Sequence, residues 1–130
     1  MKPIQALIVE DDFALGDVIK EILQISGYQA DLVRNGRQAM EHLSQHAPDV
    51  VILDMHLPEI SGLVILDFIR SAQRLADTRV LVVTADTDIL DSIRQRIDAG
   101  FVKPFSAMQL LKTVQQLCAK LMPSDMDNNP

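Results

Sequence analysis

Apolar runs that stop abruptly on a charged or hydroxylic residue set the rhythm of this chain. Val50-Val51-Ile52-Leu53 passes without a break into Asp54, and a turn containing Leu57-Pro58 follows. A short, continuous apolar run rich in β-branched residues has the character of a strand buried on both faces, as in parallel sheets. Ala6-Leu7-Ile8-Val9 has the same form and ends on Glu10-Asp11-Asp12, and Arg79-Val80-Leu81-Val82-Val83 ends on Thr84. Phe101-Val102-Lys103 gives a short fifth strand, and the more polar stretch Tyr28 to Val33 gives an edge strand.

Between these runs the apolar positions recur at helical spacing. Leu15, Val18, Ile19, Ile22 and Leu23 mark a first helix, with Asp12 placed as its N-cap and Gly27 as its stop. Asn35-Gly36 turns the chain into a second helix carrying Ala39, Met40 and Leu43, which Pro48 closes. Ser61 or Gly62 opens a third, with Leu63, Leu66, Phe68 and Ile69 facing inward. Ile89, Ile93 and Ile97 mark a fourth, ended by Gly100 in a C-cap role. The last helix carries Met108, Leu111, Val114, Leu117, Cys118 and Leu121.

Strict alternation of strand and helix calls for an α/β fold: a parallel sheet of five strands with helices on both faces, because parallel strands need crossovers of this length. In such a sheet every strand ends on the same edge. Glu10, Asp11, Asp54, Thr84 and Lys103 therefore arrive there together, at the place where open α/β sheets bind ligands.

The chain of 130 residues is sized for one domain. Its apolar runs are too short to span a bilayer, and Met1-Lys2-Pro3-Ile4 lacks the apolar segment of a secretory signal. A single cysteine, Cys118, excludes an internal disulfide and fits a reducing cytoplasm. The net charge of −6 argues against nucleic-acid binding, which needs a basic face. We expect one domain over residues 1–122 and a disordered tail or the start of a linker over 123–130.

Three carboxylates held together repel one another and would bind protons unless a cation sits among them. Mg²⁺ suits such a site, since it takes oxygen ligands and keeps several waters. Asp54 would then serve as a nucleophile toward a phosphoryl group, with Lys103 supplying positive charge and Thr84 a hydrogen bond. Ala85 is small and leaves the approach to Asp54 open.

The motifs Leu7-Ile8-Val9-Glu10-Asp11-Asp12, Asp54-Met55-His56-Leu57-Pro58 with Gly62, Thr84-Ala85, and Lys103-Pro104-Phe105 follow in this order. Together they make the chain, from Ile4 to about Leu121, resemble the receiver (response-regulator) domain of two-component signalling. The resemblance implies a flavodoxin-like, doubly wound (βα)5 fold with strand order 2-1-3-4-5. It implies that Asp54 accepts a phosphoryl group from a phosphohistidine on a histidine kinase or histidine phosphotransfer protein, the domain itself not being a conventional enzyme. Asp11 would hold Mg²⁺ (or Mn²⁺) directly and Glu10 through water, with Asp54 and the backbone carbonyl of His56 completing the set. Thr84 and Lys103 would bind the phosphoryl oxygens. A cis peptide would precede Pro104, and the side chains of His56 and Asp86 would flank the acyl phosphate and tune its lifetime. The face built from the fourth helix, fifth strand and last helix would be read by an output partner or by a second copy of the chain, without direct contact to nucleic acid or membrane.

The match is imperfect. Only 19 positions separate Thr84 from Lys103, a few fewer than the family usually has. Gly100 stands three before the lysine, where the family places a rotating aromatic residue, and Phe101 alternates to the opposite face. A shortened, shifted or loosely ordered fourth helix and an irregular passage into the fifth strand are therefore expected. Ser61 replaces an aspartate common at that place. Two other functional readings stay open: a receiver-like interaction module that no longer uses phosphate, and a phosphatase with Asp54 as nucleophile and His56 as its acid. His42 and His46, one helical turn apart, offer two metal ligands without an evident third, against the plainer reading of a solvated helix face.

Overall fold

The computed structural model describes residues 2–121, so the tail expected at 123–130 lies outside the described residues. The apolar runs become five strands, β1 (Gln5–Val9), β2 (Gln29–Val33), β3 (Val50–Asp54), β4 (Arg79–Thr84) and β5 (Ala99–Val102). They pair in parallel in the order β2-β1-β3-β4-β5. β3 and β4 begin and end where the apolar pattern places them, because buried β-branched runs leave one outcome open to the backbone.

Five α-helices cross between or follow the strands: α1 (Phe13–Ile25), α2 (Gly36–Gln45), α3 (Gly62–Ser71), α4 (Thr87–Ile93) and α5 (Ala107–Leu117). Their starts are fixed by side chains that take an otherwise unpaired amide. Asp12, Asn35, Asp86 and Ser106 accept from Leu15, Gln38, Ile89 and Gln109, whereas Ser61 precedes α3 without such a bond. Gly27, at φ 94°, turns the chain out of α1 in the left-handed region that glycine enters without strain.

The sheet separates two apolar layers. One side packs Ile8, Ile52 and Leu81 against Ile19 and Leu23 of α1 and Leu110 and Val114 of α5. The other packs Leu7, Val51 and Val82 against Leu43 of α2, Leu66 of α3 and Leu90 of α4. Alternate side chains of one strand thus serve different layers, which is why these strands are apolar throughout.

Several inward assignments are corrected. Val18, Leu63 and Met108 are exposed, and Leu121 lies exposed in a 3₁₀ turn beyond α5. Ile65, Leu90 and Leu110 fill the core instead. After Gly62, α3 runs Leu63-Val64-Ile65-Leu66, apolar at every position, so only packing selects the buried face.

The fourth helix is short, as expected: α4 has seven residues and passes into a 3₁₀ turn, Arg94–Arg96. Ile97 falls outside it. Gly100 does not cap it but sits inside β5, paired with Val82, and β5 starts at Ala99 rather than Phe101. Phe101 packs into the α1/α5 layer, edge-on to Phe105 with ring centroids 5.7 Å apart.

Candidate functional site

Four strand ends build the site. At the end of β1, Glu10 is buried and Asp11 exposed. Asp54, the last residue of β3, is 3% exposed. Its Oδ1 accepts the backbone N–H of His56 at 3.0 Å, and its Oδ2 accepts from Lys103 Nζ at 2.9 Å. Thr84 ends β4 fully buried, and its hydroxyl oxygen accepts the Asp86 N–H at 3.1 Å. Lys103 follows β5, held there by its own N–H donating to the Thr84 carbonyl at 2.9 Å. The Lys103–Pro104 peptide is cis.

Above these groups lies an open cavity of about 450 Å³ lined by Asp11, Asp12, Asp54, His56, Ala85 and Lys103. The sequence pattern places Asp12 only as a helix cap. It caps α1 and also lines the cavity, and the unbroken acidic run Glu10-Asp11-Asp12 was the signal for it. Asp86, expected to flank the acceptor, is not among the lining residues. Its carboxylate is turned to the first turn of α4, where it accepts from Ile89 N–H at 3.1 Å.

The electrostatics are dominated by crowding of acids. Burial pushes the Glu10 carboxyl up to about 7, and the hydrogen bond and charge of neighbouring Asp54 push the same way. Burial pulls Lys103 down, but its hydrogen bonds and charge attraction to Asp54 and Glu10 outweigh that and hold its ammonium above the ordinary value. Lys103 Nζ stands 3.1 Å from Glu10 Oε1, an oxygen that is buried and accepts no hydrogen bond.

Carboxylate oxygens of Glu10, Asp11 and Asp54 lie within 4.8 Å of one another. Among the described residues this is the one group of three or more acidic, histidine or cysteine side chains so disposed. A hard divalent cation fits it: the donors are all oxygen, and the crowding that raises Glu10 is what a cation would relieve. His42 and His46 do not form a comparable group. His42 Nε2 lies 3.1 Å from Asp31 Oδ2, and the two imidazoles lie tilted by 42° with centroids 4.6 Å apart.

A parallel sheet in this order, with a lysine and three carboxylates gathered at its carboxyl edge, defines a doubly wound α/β module of the signal-receiver class. The chain belongs to the response regulator receiver domain family, whose model matches residues 6–115. Response regulator MprA of Mycolicibacterium vanbaalenii is 32% identical over 130 residues, which cover 95% of this chain and 54% of that protein. The chain thus spans about half the length of that relative. Among solved structures, chemotaxis response regulator CheY4 of Vibrio cholerae matches with a TM-score of 0.82 at 25% identity, over 89% of this chain and 99% of the other. The response regulator TrrA of Thermotoga maritima, solved in complex with Mg²⁺-BeF, matches with a TM-score of 0.78 at 30% identity, over 88% and 98%.

Proposed function

We propose that Asp54 is the phosphoacceptor of a Mg²⁺-dependent signalling switch. The observation that carries this reading is the contact of Lys103 Nζ with Asp54 Oδ2 at 2.9 Å, beside the Glu10–Asp11–Asp54 group. A carboxylate oxygen of Asp54 attacks the phosphorus of a phosphohistidine protonated on its other ring nitrogen; a P–O bond forms, the P–N bond breaks, and the electron pair leaves on the neutral imidazole, which keeps that proton. Glu10, Asp11 and Asp54, with the carbonyl of His56, would hold Mg²⁺, which neutralises charge on the transferred oxygens. Lys103 keeps its ammonium on the same side of the acceptor, and the small side chain of Ala85 keeps the approach clear. The Thr84 hydroxyl accepts the Asp86 amide and keeps its own O–H to donate, which supports a hydrogen bond to the phosphoryl group when the side chain turns toward it. His56 lines the cavity and is placed to govern water access to the acyl phosphate, whereas Asp86 would act on its lifetime only after leaving its cap. Mn²⁺ has no support of its own beyond an oxygen donor set that both ions accept.

The donor would be a histidine kinase or a histidine phosphotransfer protein, in the cytoplasm, and the response would be read on the face of α4, β5 and α5 by a partner or a second copy. The second reading, an interaction module independent of phosphate, is favoured by one observation: α4 is short, and the segment that follows it is fastened to α3 through Arg70. Incubation with acetyl phosphate and Mg²⁺ separates the two. The switch gains the mass of one phosphoryl group, and Asp54→Asn does not. An unmodified wild-type chain with the ion bound would remove the switch reading.

A further inference from the structure

Gly100 is the one residue of β5 without a side chain, and the space above it is filled from the helix side. A Cβ added to Gly100 would meet Leu90 Cδ1 at 2.5 Å, Cγ at 3.2 Å and Cδ2 at 3.3 Å. Leu90, 1% exposed, is therefore seated directly on the strand backbone. Its own backbone leads back to the phosphoacceptor site. Leu90 N–H donates to the Asp86 carbonyl at 3.2 Å, and Asp86 N–H donates to the Thr84 hydroxyl at 3.1 Å.

The other end of this segment is fixed. Arg70 of α3 donates to the Arg96 carbonyl at 2.7 Å, to the Thr78 carbonyl at 3.1 Å and to Asp98 Oδ2 at 3.0 Å. Asp98 Oδ2 also accepts from Val80 N–H at 2.7 Å, and Arg96 pairs with Asp67. The segment is thus anchored beyond α4, at Arg96 and Asp98, bonded to the Thr84 hydroxyl through Asp86 at the helix start, and keyed to β5 by Leu90 in between.

We infer that Leu90, seated on Gly100, is the positioning residue that couples β5 to the Thr84 hydroxyl, so that α4 and β5 respond together when the site is filled. Interiors are close-packed, so a displacement of Leu90 must be taken up by the backbone beneath it. If the Thr84 hydroxyl turns to the phosphoryl group and releases the Asp86 amide, the first turn of α4 loses a tether while Arg70 holds the 3₁₀ turn that follows the helix. The residue that then moves against the sheet is Leu90, and the strand it bears upon is β5. This coupling presupposes the phosphoacceptor reading of Asp54, and the experiment keeps the two apart.

Amide NMR spectra of the full chain are recorded with and without beryllium fluoride and Mg²⁺, for wild type, Leu90→Ala and the exchange variant Leu90→Ala/Gly100→Val. In wild type the mimic shifts amides at the site (His56, Ala85, Lys103) and along Ala99–Val102. In Leu90→Ala the site shifts persist while those of Ala99–Val102 become at least roughly threefold smaller. The exchange variant, which refills the slot from the strand side, recovers more than about half of the lost response. Undiminished β5 shifts in Leu90→Ala overturn the coupling and leave Asp54 untouched, as does an exchange variant that is folded and recovers nothing. If Leu90→Ala does not fold, Gly100→Ala decides: with Leu90 pushed off the strand, the β5 shifts must change in size, and unchanged shifts overturn the coupling. Absence of any site shift in wild type removes the phosphoacceptor reading and the coupling with it.

Discussion

Lys103 carries two acids on one ammonium: it donates to Asp54 at 2.9 Å and lies 3.1 Å from Glu10. Both carboxylates are almost wholly removed from solvent, so the attraction is little screened. Replacing Lys103 by alanine leaves those acids facing each other and removes positive charge from the place where phosphoryl charge develops. Acyl-phosphate formation from acetyl phosphate should slow on the order of 100-fold. Quantifying the phosphorylated fraction against time by intact mass checks this, and a rate within threefold of wild type, about the context scatter of such contributions, would contradict it.

At this scale the gathering of Asp54, Thr84 and Lys103 at one sheet edge was legible in the sequence. Asp54 and Thr84 are polar residues at the ends of buried apolar runs, and burial of such residues calls for partners. The role of Asp86 was not legible, because whether it faces the cavity or caps a helix depends on where α4 begins. Nor was that of Gly100: a glycine after Asp98-Ala99 has the look of a helix stop. Pairing with β4 and the insertion of Leu90 from another element decide otherwise.

Among the elements, α4 is the one whose stability comes least from its own length. A seven-residue helix is too short to hold itself, so its place depends on the Leu90 contact and on the Arg70 fork that fixes the segment just after it. Arg70→Ala should lower global stability by about 1–2 kcal/mol, since the lost bonds are only partly shielded from water. The larger effect is local. Urea unfolding measures the first, and amide exchange should quicken most at residues 94–99, with α2 unaffected. Uniform quickening throughout the chain would show that Arg70 holds no separate segment. The faces of α1 and α3 show the converse limit of sequence reasoning, since Val18 and Leu63 fit a helical stripe yet face solvent.

For the molecule as a whole, the α1/α5 layer conceals two groups that resist ionisation. Burial pushes the Cys118 thiol up to about 11, with the charge of Asp49 adding to it and that of Arg79 opposing. Burial likewise pushes the Tyr28 phenol up to about 12, with Cys118 contributing, and its hydroxyl has no hydrogen-bond partner. Both groups favour the folded state while neutral. Their contribution is complete below the unfolded thiol value of 9.0 and is lost as pH rises through about 11 and 12. The urea midpoint should therefore fall steeply across that window, and Cys118→Ala should make the fall shallower near its start. A midpoint independent of pH up to 11 would contradict the burial of both groups.

The position of Lys103 one step beyond β5 also limits how this chain tolerates insertions and deletions. From Gly100 onward each residue alternates between the two sides of the sheet, and Lys103 is fixed to the Thr84 carbonyl. One residue added or removed between Gly100 and Lys103 would swing the ammonium to the wrong layer. A length change between Arg94 and Asp98 falls instead in the turn before the strand and leaves that alternation unaltered.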